Sequence, residues 1–217
     1  QAQGDSARCG GQPEALPLDS TRFFVKKRGK KLLHSGRVIT MRLFIAINFG
    51  DRALDAFEAA RERLRAQAGR ANYSRRENLH LTLAFLGELP GSRLADIEAA
   101  MSAAAAGAGA FTLSFDHAGR FRREGGDIWW LGAADCPALT ALQSRLASEL
   151  RARGFALEDR RFYPHLTLAR RVFGSADPRS LLAGAVPCRV SGMSLMLSER
   201  PEGKLTYTEL FYAAFAR

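Results

Sequence analysis

The tetrapeptide His-Leu-Thr-Leu occurs twice in this chain, at residues 80–83 and again at residues 165–168. Side chains of a β-strand alternate between two faces, so each copy places its His and Thr on one face and its leucines on the other. The leucine face can pack into a core while the imidazole and the hydroxyl face outward. The repeat therefore predicts two similar strands, one in each half of the chain.

Two such strands lying side by side would bring four polar side chains to one cleft: His80, Thr82, His165 and Thr167. This set provides a general acid, a general base and two hydrogen-bond donors, which suits an anionic ester substrate. One copy alone would be weak evidence, because short motifs are weak signals and a histidine on a strand is more often structural. The identical second copy favours a catalytic pair. His117 belongs to neither copy and is predicted to be structural.

The composition is that of a globular protein with a basic surface. With 217 residues, 47% of them hydrophobic, the chain can build a core for one domain or for two small lobes. The net charge of +10 and the pI near 10.2 favour polyanionic partners such as RNA or nucleotide phosphates. Surplus arginine also serves solubility, so charge alone gives only a weak preference for nucleic acid.

Neither the cysteines nor the apolar segments predict a secreted or membrane protein. Cys9, Cys136 and Cys188 are widely separated and lack the paired spacing of a zinc site or a disulfide framework. No apolar segment reaches the roughly 18 residues of a membrane span, and none precedes a secretory cleavage site. We expect a soluble monomer in a reducing cytoplasm, with no structural metal.

Residues 1–40 differ in composition from the rest of the chain. They contain several glycines and prolines, no sustained apolar period and a basic run at residues 26–31. This predicts a disordered basic extension, which carries half of the excess positive charge, before a domain that covers residues 41–217. The basic run could be a nucleic-acid arm, but an uncleaved leader or an upstream start codon without function is the favoured interpretation.

Strand and helix patterns alternate from residue 41 onwards. Alternation and apolar runs predict strands at residues 41–47, 80–86, 111–117, 128–131, 165–168, 187–198 and 204–215. Helical periodicity predicts helices at residues 51–67, 92–106 and 135–153, the first and third capped by Asp51 and Asp135. This order predicts an α+β protein with two pseudo-symmetric lobes. Their antiparallel sheets would surround a central cleft, with the helices on the outside.

Trp129 and Trp130 are neighbours in one predicted strand, so they point to opposite faces. One of them could stack on a nucleobase, but a core position is the commoner fate of a tryptophan. The sequence assigns neither.

These motifs resemble those of the two-histidine phosphoesterases, and among them the bacterial and archaeal RNA 2′,3′-cyclic phosphodiesterases, also called 2′-5′ RNA ligases. The resemblance covers residues 41 to about 215. Its motifs are Met-Arg-Leu-Phe-Ile-Ala at residues 41–46, Glu-Asn-Leu-His-Leu-Thr-Leu at 77–83, Phe-Leu-Gly at 85–87 and Pro-His-Leu-Thr-Leu-Ala-Arg at 164–170. The first forty residues depart from the family pattern.

The resemblance implies hydrolysis in a cleft between two lobes, without a metal or a cofactor. Water would attack the phosphorus of a 2′,3′-cyclic phosphate in line and open the ring to a 2′-phosphomonoester. His80 is implied as the proton donor to the departing 3′ oxygen, and His165 as the proton acceptor from water. Thr82 and Thr167 would donate hydrogen bonds to the phosphate, and Arg170 would stabilise the charge of the transition state.

Arg170 does not fit the simple alternation of its strand. Counted from His165, it has the parity of the leucines. It can reach the phosphate only beyond the end of the strand or past a β-bulge. The alternative is a salt bridge at the rim of the cleft, which is common for exposed arginines.

Three functions compete on the sequence. The first is hydrolysis of RNA 2′,3′-cyclic phosphate ends, and the second is the reverse reaction, which joins such an end to a 5′-hydroxyl. Water at ~55 M favours hydrolysis unless the two RNA ends are held together. The third is a non-catalytic nucleotide- or RNA-binding module, which would not need two ionisable groups. The sequence leaves open the base-stacking residue and the substrate, whether an RNA end, a free cyclic nucleotide or a cyclic phosphate on ADP-ribose.

Overall fold

The computed structural model describes residues 40–216, in which strands and helices alternate. The strands are β1 (Thr40–Asn48), β2 (Asn72–Tyr73), β3 (His80–Pro90), β4 (Phe111–Phe121), β5 (Asp127–Ala133), β6 (His165–Val172), β7 (Val186–Val190), β8 (Gly192–Glu199) and β9 (Thr206–Ala214). The α-helices are α1 (Asp51–Ala68), α2 (Leu94–Ala106), α3 (Pro137–Ala152) and α4 (Pro178–Leu181). The predicted extension of residues 1–40 lies outside the described residues, apart from Thr40 at the start of β1.

The two repeated tetrapeptides open strands β3 and β6, and their leucines are buried as the alternation predicts. Leu81, Leu83, Leu166 and Leu168 are at most 3% exposed. The histidines and threonines of both copies are only partly buried, on the other face. Burying one leucine stabilises the fold by roughly 1.5–3 kcal/mol. The packed leucines therefore fix which face of each strand carries the imidazoles.

The described strands form one curled antiparallel sheet in the order β7-β4-β5-β6-β3-β1-β8-β9, with β2 paired to β6. It has two four-stranded halves, which we call the His80 half (β3-β1-β8-β9) and the His165 half (β6-β5-β4-β7). The halves join where Leu81 pairs with Leu166. Helices cover the leucine face, and we call the opposite face, which carries the imidazoles, the open face. The predicted fold class is confirmed. The two predicted sheets are joined into one through the pair Leu81 and Leu166.

The helices cover the sheet with small and apolar side chains. α1 packs against β6, β7 and α4 and buries Phe57 and Leu64, while Leu54 is only partly buried. The alanine-rich α2 packs against α3, β8 and β9, because small side chains allow close approach. Among residues 40–216, no helix is long and apolar enough to cross a membrane.

Two predicted helix caps are wrong. The N-cap of α1 is Gly50, and Asp51 is the first helical residue, without a capping hydrogen bond from a side chain. The N-cap of α3 is Cys136, so Asp135 precedes the cap, and Pro137 begins the helix. Proline suits that position because its φ is helical and it has no N–H to leave without a partner.

Two predicted strand boundaries are also wrong. β3 does not end at Gly87 but continues to Pro90, since Gly87 has φ +76° and takes up a slip in the register with β1. The predicted strand at residues 187–198 is divided at Ser191 into β7 and β8, which pair with β4 and β1 respectively. Alternation cannot show where a chain changes its pairing partner.

Candidate active site

Strands β3 and β6 place the two repeated motifs next to each other on the open face. Their pairing is antiparallel and centred on the second residue of each motif, so each histidine lies beside the threonine of the other motif. The two imidazoles are close enough that charge on His165 lowers the pKa of His80. The open face thus brings together four of the predicted site residues: His80, Thr82, His165 and Thr167.

Both imidazoles are held by the same backbone contact. Nδ1 of His80 donates to the carbonyl of Asn78 at 2.8 Å, and Nδ1 of His165 donates to the carbonyl of Tyr163 at 2.7 Å. A carbonyl only accepts, so Nδ1 carries the proton and Nε2 of each neutral ring is an acceptor. Nε2 of His80 lies 3.1 Å from the hydroxyl of Thr82. Nε2 is therefore the nitrogen of each neutral ring that can accept a proton.

The surroundings of both rings oppose protonation in the free protein. Burial lowers the pKa of His80 to about 4, with the hydrogen bond to Asn78 opposing the shift and the charge of Arg170 adding to it. Burial likewise lowers the pKa of His165, again opposed by its carbonyl partner and strengthened by Arg170. Both histidines are therefore mainly neutral at pH 7 before a substrate binds.

Aromatic side chains surround the ring of His80. Its centroid lies 4.9 Å from that of Phe44 and 5.2 Å from that of Tyr207. Phe44 and Tyr207 also contact each other edge to face, with centroids 4.8 Å apart. These two rings cover part of the imidazole and so contribute to the burial that lowers its pKa.

A different set of aromatic side chains surrounds His165. The centroids of Phe121, Trp130 and Tyr163 lie 5.2, 6.2 and 6.3 Å from that of the imidazole. Trp130 is 6% exposed and supports the open face, whereas Trp129 is fully buried among the leucines and helices. The two tryptophans point to opposite faces, as predicted, and Trp130 is the one at the site.

A β-bulge brings Arg170 to the open face. Between Thr167 and Ala169, β6 has one residue more than its partner β5, which makes Leu168 the extra residue. Leu168 and Ala169 are both fully buried, so the alternation restarts in reverse. Arg170 therefore emerges on the side of the imidazoles, by the bulge that the parity argument required.

Arg170 is exposed and makes no ion pair with any residue of the described chain, so the alternative of a salt bridge at the rim is not found within residues 40–216. Its charge lowers the pKa of both imidazoles and opposes the rise in the pKa of Tyr207 that burial causes. One guanidinium thus influences all three rings. An anion bound between the histidines would meet this charge.

The same bulge occurs in the His80 half. There β3 has one residue more than β1, and Leu83 is the extra residue. Phe85 therefore occupies the position that corresponds to Arg170. Its ring is 40% exposed, and the guanidinium of Arg42 lies 4.8 Å from its centroid.

A protein-family comparison agrees with this geometry. The model of the 2′-5′ RNA ligase superfamily matches residues 53–200, which hold both tetrapeptides and more than half of the chain. The protein belongs to this superfamily. The family that the repeated motifs resemble is thereby confirmed.

Relatives in the superfamily are similar over most of the described chain. The RNA 2′,3′-cyclic phosphodiesterase of Thermotoga maritima is 31% identical over 60% of this chain and 70% of its own length. That of Archaeoglobus fulgidus is 33% identical over 60% of this chain and 72% of its own. The structure of Escherichia coli LigT complexed with 3′-AMP covers 82% of this chain and 99% of its own, with 28% identity and a TM-score of 0.69. The names of the two phosphodiesterases support the activity that the resemblance implies.

The sequence reasoning missed the aromatic residues of this superfamily member's site. Phe44 and Tyr207 lie in strands that the sequence predicts, but nothing in the sequence indicates that their side chains lie beside His80. Tyr163 is 45% exposed and precedes His165 by two residues. Its backbone carbonyl, which holds the imidazole, gives no signal in the sequence.

Residues 40–216 contain no cluster of three His, Cys, Asp or Glu side chains that could hold a metal ion. The cysteines in this range, Cys136 and Cys188, are both free thiols. Independence from metals and cofactors stays a prediction to be tested by chelation.

Proposed function

We propose that this protein hydrolyses RNA ends that carry a 2′,3′-cyclic phosphate to 2′-phosphomonoesters. The observation that carries this proposal is the pair of imidazoles on adjacent strands, each fixed through Nδ1 so that Nε2 can exchange a proton. Relatives named RNA 2′,3′-cyclic phosphodiesterase support the choice of substrate.

In the proposed reaction, the two imidazoles move two protons in opposite directions. Nε2 of neutral His165 accepts a proton from the attacking water, and Nε2 of protonated His80 donates one to the departing 3′ oxygen. Thr82 and Thr167 donate hydrogen bonds to the non-bridging oxygens of the phosphate. Arg170 stabilises the additional negative charge of the pentacoordinate transition state.

The low pKa of His80 is compatible with its role as the acid once the substrate is bound. An anionic phosphate beside an imidazole favours the protonated form and so raises the pKa. Protonated Nε2 becomes a donor, so it no longer accepts a hydrogen bond from Thr82. The released hydroxyl can then turn to the phosphate. Binding of the anion thus prepares both the acid and one of the donors.

The name of the superfamily favours one second candidate, ligation of a 2′,3′-cyclic phosphate end to a 5′-hydroxyl. This reaction opens the same cyclic phosphate with a 5′-hydroxyl in place of water as the nucleophile, so it uses the same two proton transfers. Water at ~55 M competes with that hydroxyl unless both RNA ends are held in the site. Hydrolysis is therefore the primary proposal.

The proposed function is tested by incubating the protein, in EDTA, with an oligoribonucleotide that ends in a 2′,3′-cyclic phosphate, and identifying the product isomer. We expect a 2′-phosphomonoester, and no product from a His80→Ala/His165→Ala double variant purified in the same way. A 3′-phosphomonoester would contradict the proposed leaving group. Loss of activity in EDTA with rescue by a divalent ion would contradict the two-histidine mechanism.

A further inference from the structure

A third histidine, His117, lies on the open face beside the catalytic pair. Cross-strand pairing runs from His117 in β4 to Gly132 in β5, and from Gly132 to His165 in β6. His117 and His165 are thus two strand spacings apart, about 10 Å between backbones. His117 is therefore not an immediate neighbour of the catalytic pair, but it is near enough to contact the same substrate.

Gly132 makes room for the imidazole of His117. A Cβ on Gly132 would lie 2.1 Å from Nε2 of His117 and 2.4 Å from Cε1, so the ring occupies the space that a side chain at residue 132 would fill. The ring therefore reaches across β5 with its Nε2 edge towards His165. Its centroid lies 5.8 Å from that of Trp130, which itself contacts His165. The side chain of His117 is 47% exposed and accessible to a ligand.

Asp116 determines which nitrogen of His117 is free. Nδ1 lies 2.6 Å from the Asp116 carboxylate, and a carboxylate only accepts, so Nδ1 carries the proton. Nε2 of the neutral ring is then an acceptor, and it makes no hydrogen bond to any residue in the range 40–216. Near the reacting phosphate, Arg170 and the two threonine hydroxyls donate hydrogen bonds to the phosphate oxygens. Nε2 of His117 instead requires a donor on the substrate.

We propose that His117 accepts a hydrogen bond from the 2′-hydroxyl of the nucleotide that precedes the cyclic phosphate. In the terminal nucleotide both the 2′ and the 3′ oxygen are esterified, so the nearest free 2′-hydroxyl in an RNA chain belongs to the preceding ribose. This hydroxyl distinguishes RNA from DNA. The inference rests on the proposed function, and it makes His117 a specificity residue for RNA chains over mononucleotides.

The test compares three substrates that end in the same cyclic phosphate. Two are trinucleotides that differ only in the penultimate sugar, ribose or 2′-deoxyribose, and the third is the cyclic mononucleotide. We expect the native protein to prefer the ribose substrate about fivefold in kcat/KM, the range of one hydrogen bond. His117→Phe, which keeps a ring against Trp130 but has no acceptor, should lose this preference and turn over the mononucleotide at the native rate. His117→Gln, which has an acceptor oxygen, should retain part of the preference.

Other outcomes separate this inference from the proposed function. Turnover of all three substrates without a sugar preference, or an unchanged preference in a folded His117→Phe, would overturn the inference alone. A preference that follows the penultimate base rather than the sugar would place a base amine at His117 and also overturn it. No turnover of any substrate by the native protein would overturn the proposed function and this inference with it.

Discussion

The two halves of the sheet share a backbone plan and differ in the side chains attached to it. In each half a strand begins with His-Leu-Thr-Leu, bulges at the second leucine and holds its histidine through a carbonyl two residues upstream. At the position five residues after the histidine, however, the His80 half has Phe85 and the His165 half has Arg170. The shared plan positions two equivalent imidazoles, and the differences give them unequal surroundings.

A second difference lies in β1 and β5, one strand further from the junction of the two halves. The cross-strand neighbour of His80 is Asn48, whose amide donates to Ser194 at 3.1 Å, and Ser194 donates to Glu209 at 2.7 Å. The corresponding neighbour of His165 is Gly132, which has no side chain. The side chain of Asn48 therefore fills this position in the His80 half, whereas in the His165 half Gly132 leaves room for the ring of His117. The two halves therefore share residue positions but carry different side chains at them.

The largest loss of activity is expected from removing either imidazole. His80→Ala and His165→Ala should each lower kcat on a cyclic phosphate at least ~10²-fold, because each removes one proton transfer of a shared transition state. The double variant should lose less than the product of the single losses. Steady-state kinetics with melting temperatures as a folding control measure this. Native activity in both single variants would contradict a catalytic role for the two histidines.

Variants of Arg170 and Phe85 separate the effect of the positive charge from the effect of the position, because the two residues occupy equivalent positions in the two halves. Arg170→Ala should lower kcat/KM by about 10- to 100-fold, since it removes the guanidinium whose charge acts on both imidazoles. Phe85→Ala, at the corresponding position in the other half, should lower it less than fivefold and mainly through KM. Arg170→Lys serves as the matched control and should keep part of the activity. Equal losses at the two positions would contradict a charge role for Arg170.

The low pKa values of both histidines predict an acidic optimum. The reaction needs one protonated and one neutral imidazole, and kcat/KM reports the ionisation of the free protein. With the pKa of His80 near 4 and that of His165 also lowered, the protein that holds one proton becomes scarcer as pH rises above both values. The kcat/KM for a cyclic nucleotide should therefore peak below pH 6.5 and fall about tenfold per pH unit above the optimum. A plateau through pH 7–8 would contradict these assignments.

The smallest effect is expected from deleting residues 1–39. The described sheet begins at Thr40, and all predicted site residues follow it. We expect kcat/KM for a cyclic mononucleotide to stay within twofold of the full chain. Affinity for long RNA should fall in a salt-dependent manner if the basic run at residues 26–31 contacts phosphates. A truncated protein that does not fold would contradict the boundary predicted at residue 41.

The sequence predicted the fold class, the burial of the leucines and the proximity of the two motifs. These predictions depend on the alternation of side chains along a strand and on the repeated tetrapeptide, and neither depends on which strands become neighbours. The sequence also predicted that Arg170 needs a bulge. It could not assign Trp130, Tyr207 or Phe44 to the site, because membership depends on which strands become neighbours. Helix caps were missed for a similar reason, since Gly50 and Cys136 cap without the polar side chains that a cap search looks for.

The most direct test of the unequal roles of the two halves is a change of leaving group. A nitrophenyl phosphodiester releases an anion that needs no proton, so it bypasses the acid but not the base. We predict that His80→Ala, which loses at least ~10²-fold on the cyclic phosphate, recovers most of its activity on the nitrophenyl ester, whereas His165→Ala remains as impaired on this ester as on the cyclic phosphate. Rescue of His165→Ala instead would contradict the account by reversing the two roles.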